Sequence, residues 1–162
     1  MRAAGLFGDV PIRARLIGWS LLLGPFVLLA LLGFLFLRSE PIARASLLGC
    51  YEANGAPWLR IDADGIRIGE PEQRAFRFVA EPAKEGYQLS VQPALTLSPL
   101  ADGRYVFRAE RGIGYFWPLL TSSSDRPDAM RRPSDFGGRF RIIARDGAEE
   151  VYVRSSNPQA CR

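Results

Sequence analysis

Leu59-Arg60-Ile61-Asp62-Ala63-Asp64-Gly65-Ile66-Arg67-Ile68 decides the fold class of this 162-residue chain. Leu59 and Ile61 flank Arg60, Ile66 and Ile68 flank Arg67, and an Asp- and Gly-rich reversal lies between them. Side chains of an extended strand alternate between its two faces, so each arm puts its apolar residues on one side and Arg on the other. Asp-Gly supplies the positive backbone angles of a tight turn, and the stretch predicts a β-hairpin.

The same pattern recurs downstream. Phe76 and Phe78 flank Arg77, and after Lys84-Glu85-Gly86 the residues Tyr87, Leu89 and Val91 alternate with Gln88, Ser90 and Gln92. Leu95 to Leu97 leads through Pro99 and Asp102-Gly103 into Arg104 to Ala109; Phe140 to Ala144 leads through Asp146-Gly147 into Val151 to Arg154. Short strands with turn signals at short spacing predict an all-β meander of about eight or nine strands, curled into a small antiparallel barrel or sandwich. Alternation assigns to its interior Tyr51, Leu59, Ile61, Ile66, Ile68, Phe76, Phe78, Tyr87, Leu89, Val91, Tyr105, Phe107, Phe140, Ile142, Val151 and Val153. Arg77, Arg108, Arg139, Arg141 and Arg154 are then expected outside, offset by Glu52, Glu110 or Glu150. The only helical signal in this region is a single turn within Asp125 to Arg132.

Upstream, Leu16 to Leu37 is a run of 22 uncharged residues bounded by Arg13, Arg15 and Arg38. At about 1.5 Å per residue it reaches roughly 33 Å, enough for a bilayer core about 30 Å thick. The expected organisation is a flank over 1–15, a transmembrane helix over 16–37, a linker over 38–45 and a β domain over 46–162. Three Arg precede the span and two follow it, which predicts an N-terminus on the cytoplasmic side and the domain outside. Ala43-Arg44-Ala45 has the small-x-small form of a signal-peptidase site, and Leu47-Leu48-Gly49-Cys50 has that of a lipoprotein box. The length of the apolar run and the charges before both sites favour a retained anchor. Twenty of the 21 basic residues are Arg, which, with abundant Ala, Gly and Pro, fits the codon bias of a GC-rich bacterial genome; the outside is then the periplasm.

Charge and composition narrow the function. The net charge is +4, but from Ser46 onward 16 Lys and Arg face 15 Asp and Glu, so the excess flanks the span. A nucleic-acid partner requires positive charge on the folded domain, and none is expected. His is absent, removing the commonest acid–base group and metal ligand. Asp62-x-Asp64-Gly65 lacks the later ligands of a calcium loop. Asp135-Phe136-Gly137 stands without the other kinase motifs, Ser122-Ser123-Ser124 without a base, and adjacent Glu149 and Glu150 point to opposite faces of a strand. Glu70 and Glu72 form no further constellation. The expectation is no catalytic residue, no metal and no cofactor. Cys50 and Cys161, at opposite ends of the domain, predict a disulfide that ties the first strand to the last.

Gly112-Ile113-Gly114-Tyr115-Phe116-Trp117-Pro118-Leu119-Leu120 is too apolar for a solvent loop, and its Gly and Pro interrupt a regular strand. It reads as bulged core strand, barrel-mouth ligand site or docking patch, with Tyr115, Phe116, Trp117, Leu119 and Leu120 as the candidate contacts. Leu48-Gly49-x-Tyr51 followed by Leu59-x-Ile61-x-x-Asp64-Gly65 resembles the first hairpin of lipocalin-like barrels over fewer than 20 residues. That resemblance implies an interior pocket for a small apolar or glycan ligand. The leading expectation is instead a non-catalytic accessory or assembly component of a cell-envelope complex, with the bilayer engaged through residues 16–37 and an envelope protein as partner.

Overall fold

A computed structural model describes residues 11–36, 40–69, 74–111, 115–157 and 161. The expectations for most of the N-terminal flank, for Glu70 and Glu72, and for Gly112, Ile113 and Gly114 lie outside the described residues. The chain forms two compact units, Met1–Ser39 and Glu40–Arg162.

In the first unit, α1 (Ile12–Phe36) begins one turn before the uncharged run and continues through Pro25. Its Ile12–Phe34 portion, 23 residues of mean hydropathy 2.2, is long and apolar enough to cross a membrane.

The second unit is built from ten described strands and a short helix, α2 (Arg44–Leu47). The strands are β1 (Gly49–Ala53), β2 (Ala56–Ile61), β3 (Ile66–Ile68), β4 (Arg77–Pro82), β5 (Tyr87–Gln92), β6 (Ala94–Pro99), β7 (Tyr105–Glu110), β8 (Tyr115–Leu120), β9 (Arg139–Ile143) and β10 (Glu149–Arg154). Eight of them form one antiparallel sheet in the order β3-β2-β1-β10-β9-β8-β5-β4. The sheet curls until its edges meet: Ile66 and Phe76 exchange two main-chain hydrogen bonds of 2.8 Å. The result is a nearly closed barrel, the expected all-β class.

The remaining two strands close one end. The β6–β7 hairpin puts Phe107 against Trp117 and Tyr152, with ring centroids 6.2 Å apart in each pair. The Tyr105 amide donates to Gly55 O in the β1–β2 turn, and the Arg145 amide in the β9–β10 turn donates to Leu97 O. The opposite end is closed by the segment entering β1 and by the connection from β8 to β9, where Leu47 and Met130 are fully buried. There Arg154 donates to Tyr51 Oη (3.0 Å) and to the Ser46 carbonyl, while Tyr51 donates to Leu47 O (2.7 Å).

Several local expectations change. In β10 the inward residue is Tyr152, fully buried, whereas Val151 is half-buried and Val153 is 46% exposed. Glu-Glu-Val-Tyr-Val-Arg is readable in either phase, and pairing with β9 sets Tyr152 opposite Phe140, where the rings stack. The same phase sends Arg154 over the barrel end rather than away from it. Tyr105 is only half-buried, because its hydroxyl reaches Asp146 (3.2 Å). The β2–β3 turn uses Asp62 Oδ1 as acceptor for the Asp64 and Gly65 amides, and among the described residues only glycines have positive φ. Pro118 lies within β8, opposite Gln88 of β5. Glu40 to Ala45, read as linker, belongs to the β unit: Ile42 is buried, Glu40 O accepts from the Tyr87 hydroxyl (3.0 Å), and Arg44 stacks on Phe78.

Cys50 and Cys161 are both buried and stand at disulfide distance, Cα to Cα 5.8 Å.

Candidate docking surface

Strand alternation divides the aromatic stretch between two faces. Trp117 and Leu119 point into the barrel and are fully buried; Phe116 points out and is 47% exposed. Leu120 has the outward parity of Phe116 yet is also fully buried, because the chain folds back over it and the Gly137 amide donates to its carbonyl (3.0 Å). Tyr115 is half-buried, its hydroxyl donating to Ile143 O (2.8 Å). Of the five candidate contacts, therefore, Phe116 presents its ring to solvent, Tyr115 does so in part, and Trp117, Leu119 and Leu120 serve the core.

The interior is filled by rings. Phe140 is stacked between Trp117 (5.5 Å, 7°) and Tyr152 (5.3 Å, 6°), with Tyr51 tilted against it at 4.9 Å. Phe107 of the hairpin completes the cluster. The place where the lipocalin-like resemblance implies a pocket is occupied by side chains, and Trp117 is a packing residue there.

Outside, register sets Ser90 between two apolar residues. Val79 pairs with Ser90, and Ser90 with Phe116. The β8–β9 pairing sets Leu119 opposite Phe140, and the Ile143 carbonyl accepts from the hydroxyl of Tyr115, the neighbour of Phe116. Val79, Phe116 and Ile143 are 60%, 47% and 43% exposed, and these apolar residues of β4, β8 and β9, with Ser90 of β5 between the first two, make up the outer-wall ridge. Sequence reasoning missed Val79 and Ile143; the alternation around Arg77 and Arg141 signalled that both face out, but only strand order makes them neighbours of Phe116. A second feature of the outer wall is an open groove of about 680 Å³ over β1, β2 and β10, lined by Trp58, Val151 and Val153 with Glu52 and Arg154 at its margin.

Polar groups elsewhere are spent on local structure. Asp62 and Asp64 both bridge to Arg67 (3.2 and 3.1 Å), which occupies the carboxylates of the partial calcium-loop motif. Arg139 pairs with Asp125 (2.5 Å), Arg141 with Glu149 (2.8 Å) and Arg145 with Glu110 (2.9 Å). Among the described residues, only Glu110 of the expected acidic partners forms an ion pair, and it does so with Arg145. Thr121 Oγ1 accepts from the Ser124 amide and Ser124 Oγ from the Arg126 amide, so this hydroxyl-rich run builds turns. Burial pushes the Tyr51 and Tyr152 hydroxyls above their ordinary range, Arg154 partly opposing it at Tyr51. Glu150 is raised by burial and by the nearby Asp146 charge.

No family model matches the chain, and no curated protein or solved structure is similar to it at a significant level.

Proposed function

We propose that this chain is a membrane-anchored, non-catalytic β domain that acts as an accessory or assembly component of a cell-envelope complex, docking an envelope protein through the outer wall of its barrel. In this reading α1 holds the chain in a bacterial inner membrane, the N-terminus is cytoplasmic and the domain is periplasmic, where Cys50 and Cys161 are oxidised. Tethering raises the effective concentration of the domain near membrane partners.

The observation that carries the reading is the contrast between a filled interior and an exposed apolar ridge at Val79, Phe116 and Ile143. A barrel that held a small ligand inside would need the space that Trp117, Phe140 and Tyr152 occupy. Aromatic side chains kept on the outer face of a folded sheet are instead the usual anchors of protein interfaces. Chemical crosslinking in intact membranes, followed by purification of the full chain, tests this. The wild type is expected to retain a defined partner that Phe116→Ala loses at unchanged abundance and melting temperature. An identical set of captured proteins from both chains would contradict the docking assignment.

A further inference from the structure

Among the described strands of the barrel, β4 is the one long strand that is paired on a single side. Its odd-numbered residues bond to β5, a pattern that continues into the loop, where the Ala83 amide donates to Gly86 O. Its even-numbered residues turn their N–H and C=O groups the other way. Phe76 uses them on Ile66, but β3 pairs no further along, and among the described residues nothing bonds to the main-chain groups of Phe78 and Ala80. An unpaired edge is a template for another strand.

The side chains on this edge identify the strand that fits. Outward-facing Arg77, Val79 and Glu81 are spaced two apart with Val79, 60% exposed, at the centre. Laid antiparallel on a second β4 with Val79 opposite Val79, the edge is self-complementary: Arg77 of each copy faces Glu81 of the other. Phe78 N–H donates to Ala80 O across the junction and Ala80 N–H to Phe78 O, twice over by symmetry. Ile66 already stands opposite Phe76, so the paired stretch runs from Phe78 to Ala80, and Pro82, which has no N–H, lies beyond it. This register uses the N–H and C=O groups of Phe78 and Ala80, to which nothing bonds among the described residues.

We propose that the chain self-associates through β4, forming a two-fold dimer in which the β4 edges of two barrels join as a continuous antiparallel sheet. The occupant is a second copy because the charges and the apolar centre match under a two-fold axis. The dimer places the two Val79–Phe116–Ile143 ridges end to end on one face. It shares Val79 with the docking reading above but uses neither Phe116 nor Ile143, so the two are tested by different variants.

Sedimentation of the full chain in detergent, over a range of protein concentrations, tests the interface. The wild type is expected to dimerise, and Arg77→Glu, which sets Glu against Glu81, to weaken the dimer by about tenfold or more. Arg77→Glu combined with Glu81→Arg restores opposite charges and is expected to recover it. A wild type that stays monomeric, or a dimer indifferent to Arg77→Glu, overturns the proposal; the latter result would place self-association elsewhere, for instance in α1. As a second measurement, directly opposed Val79 residues lie about 4.5 Å apart at Cα in a non-hydrogen-bonded pair, within disulfide reach. Val79→Cys is expected to crosslink rapidly under mild oxidation and Val153→Cys, on a different wall, to stay monomeric; equal yields from the two overturn the register.

Discussion

Phe116 and Trp117 are adjacent in sequence and opposite in consequence. Trp117 is fully buried among Phe107, Phe140 and Leu119, so Trp117→Ala removes a ring that the surroundings cannot replace and is expected to destabilise the domain by about 3–5 kcal/mol. Its indole N–H is buried with no hydrogen-bond partner among the described residues, so Trp117→Phe is expected to be milder, losing volume but no bond. Phe116→Ala should change stability by less than about 1 kcal/mol; urea unfolding of the three variants separates these cases. Both were read from sequence as candidate contacts; neighbours in a strand face opposite ways, and which of the two turns inward depends on strand order, which sequence leaves open. Glu150 permits a test by pH. Burial raises its pKa in the folded state, so the ionised carboxylate at neutral pH opposes folding, and the opposition disappears once both states are protonated. Glu150→Gln is expected to raise the melting temperature at pH 7 and to lose that advantage as the pH falls through the raised value toward the ordinary carboxylate range.

Among the elements, the hairpins were the most legible because a turn residue and a period of two specify each one locally. What joins them was not, since neither the closure of β3 on the segment before β4 nor the β6–β7 plug has a local signal. The phase of β10 failed for a related reason: two valines flank one tyrosine, and only the stacking of Tyr152 on Phe140 decides between them. The connection between β8 and β9 showed in sequence only a single helical turn within Asp125 to Arg132, yet it packs closely at Gly137, where an added Cβ would stand 2.0 Å from the Ser122 amide nitrogen. Main chain cannot yield there as a side-chain tip would. Gly137→Ala is therefore expected to destabilise by at least about 1–3 kcal/mol, measured by thermal unfolding, and to expose Leu120. Arg154 holds the other side of this end, bonded to Tyr51 and Ser46. Arg154→Ala should accelerate amide exchange in Arg44–Leu47 well before it affects β8 or β9.

At the scale of the molecule, the apolar helix, the all-β domain and the cysteine pair were all readable, because each rests on length, period or count. The site was not, because a surface is assembled from strands distant in sequence: Val79, Phe116 and Ile143 come to one sheet only through the order of its strands. The cysteine pair closes a loop spanning 111 positions, and in the chain-entropy account such a link contributes up to ~4.7 kcal/mol. Reduction is expected to lower the melting temperature of the purified chain by several degrees while leaving its far-ultraviolet dichroism β-like at room temperature. The central claim, that the outer wall and not the interior of the barrel meets the partner, is tested most directly by a photo-reactive amino acid placed at position 116 in membrane-embedded protein. Illumination is predicted to yield a discrete adduct with another protein from position 116 and none from position 108, an exposed site on β7. Equal labelling from both positions, or none from 116 in chains that fold and reach the membrane, would contradict it.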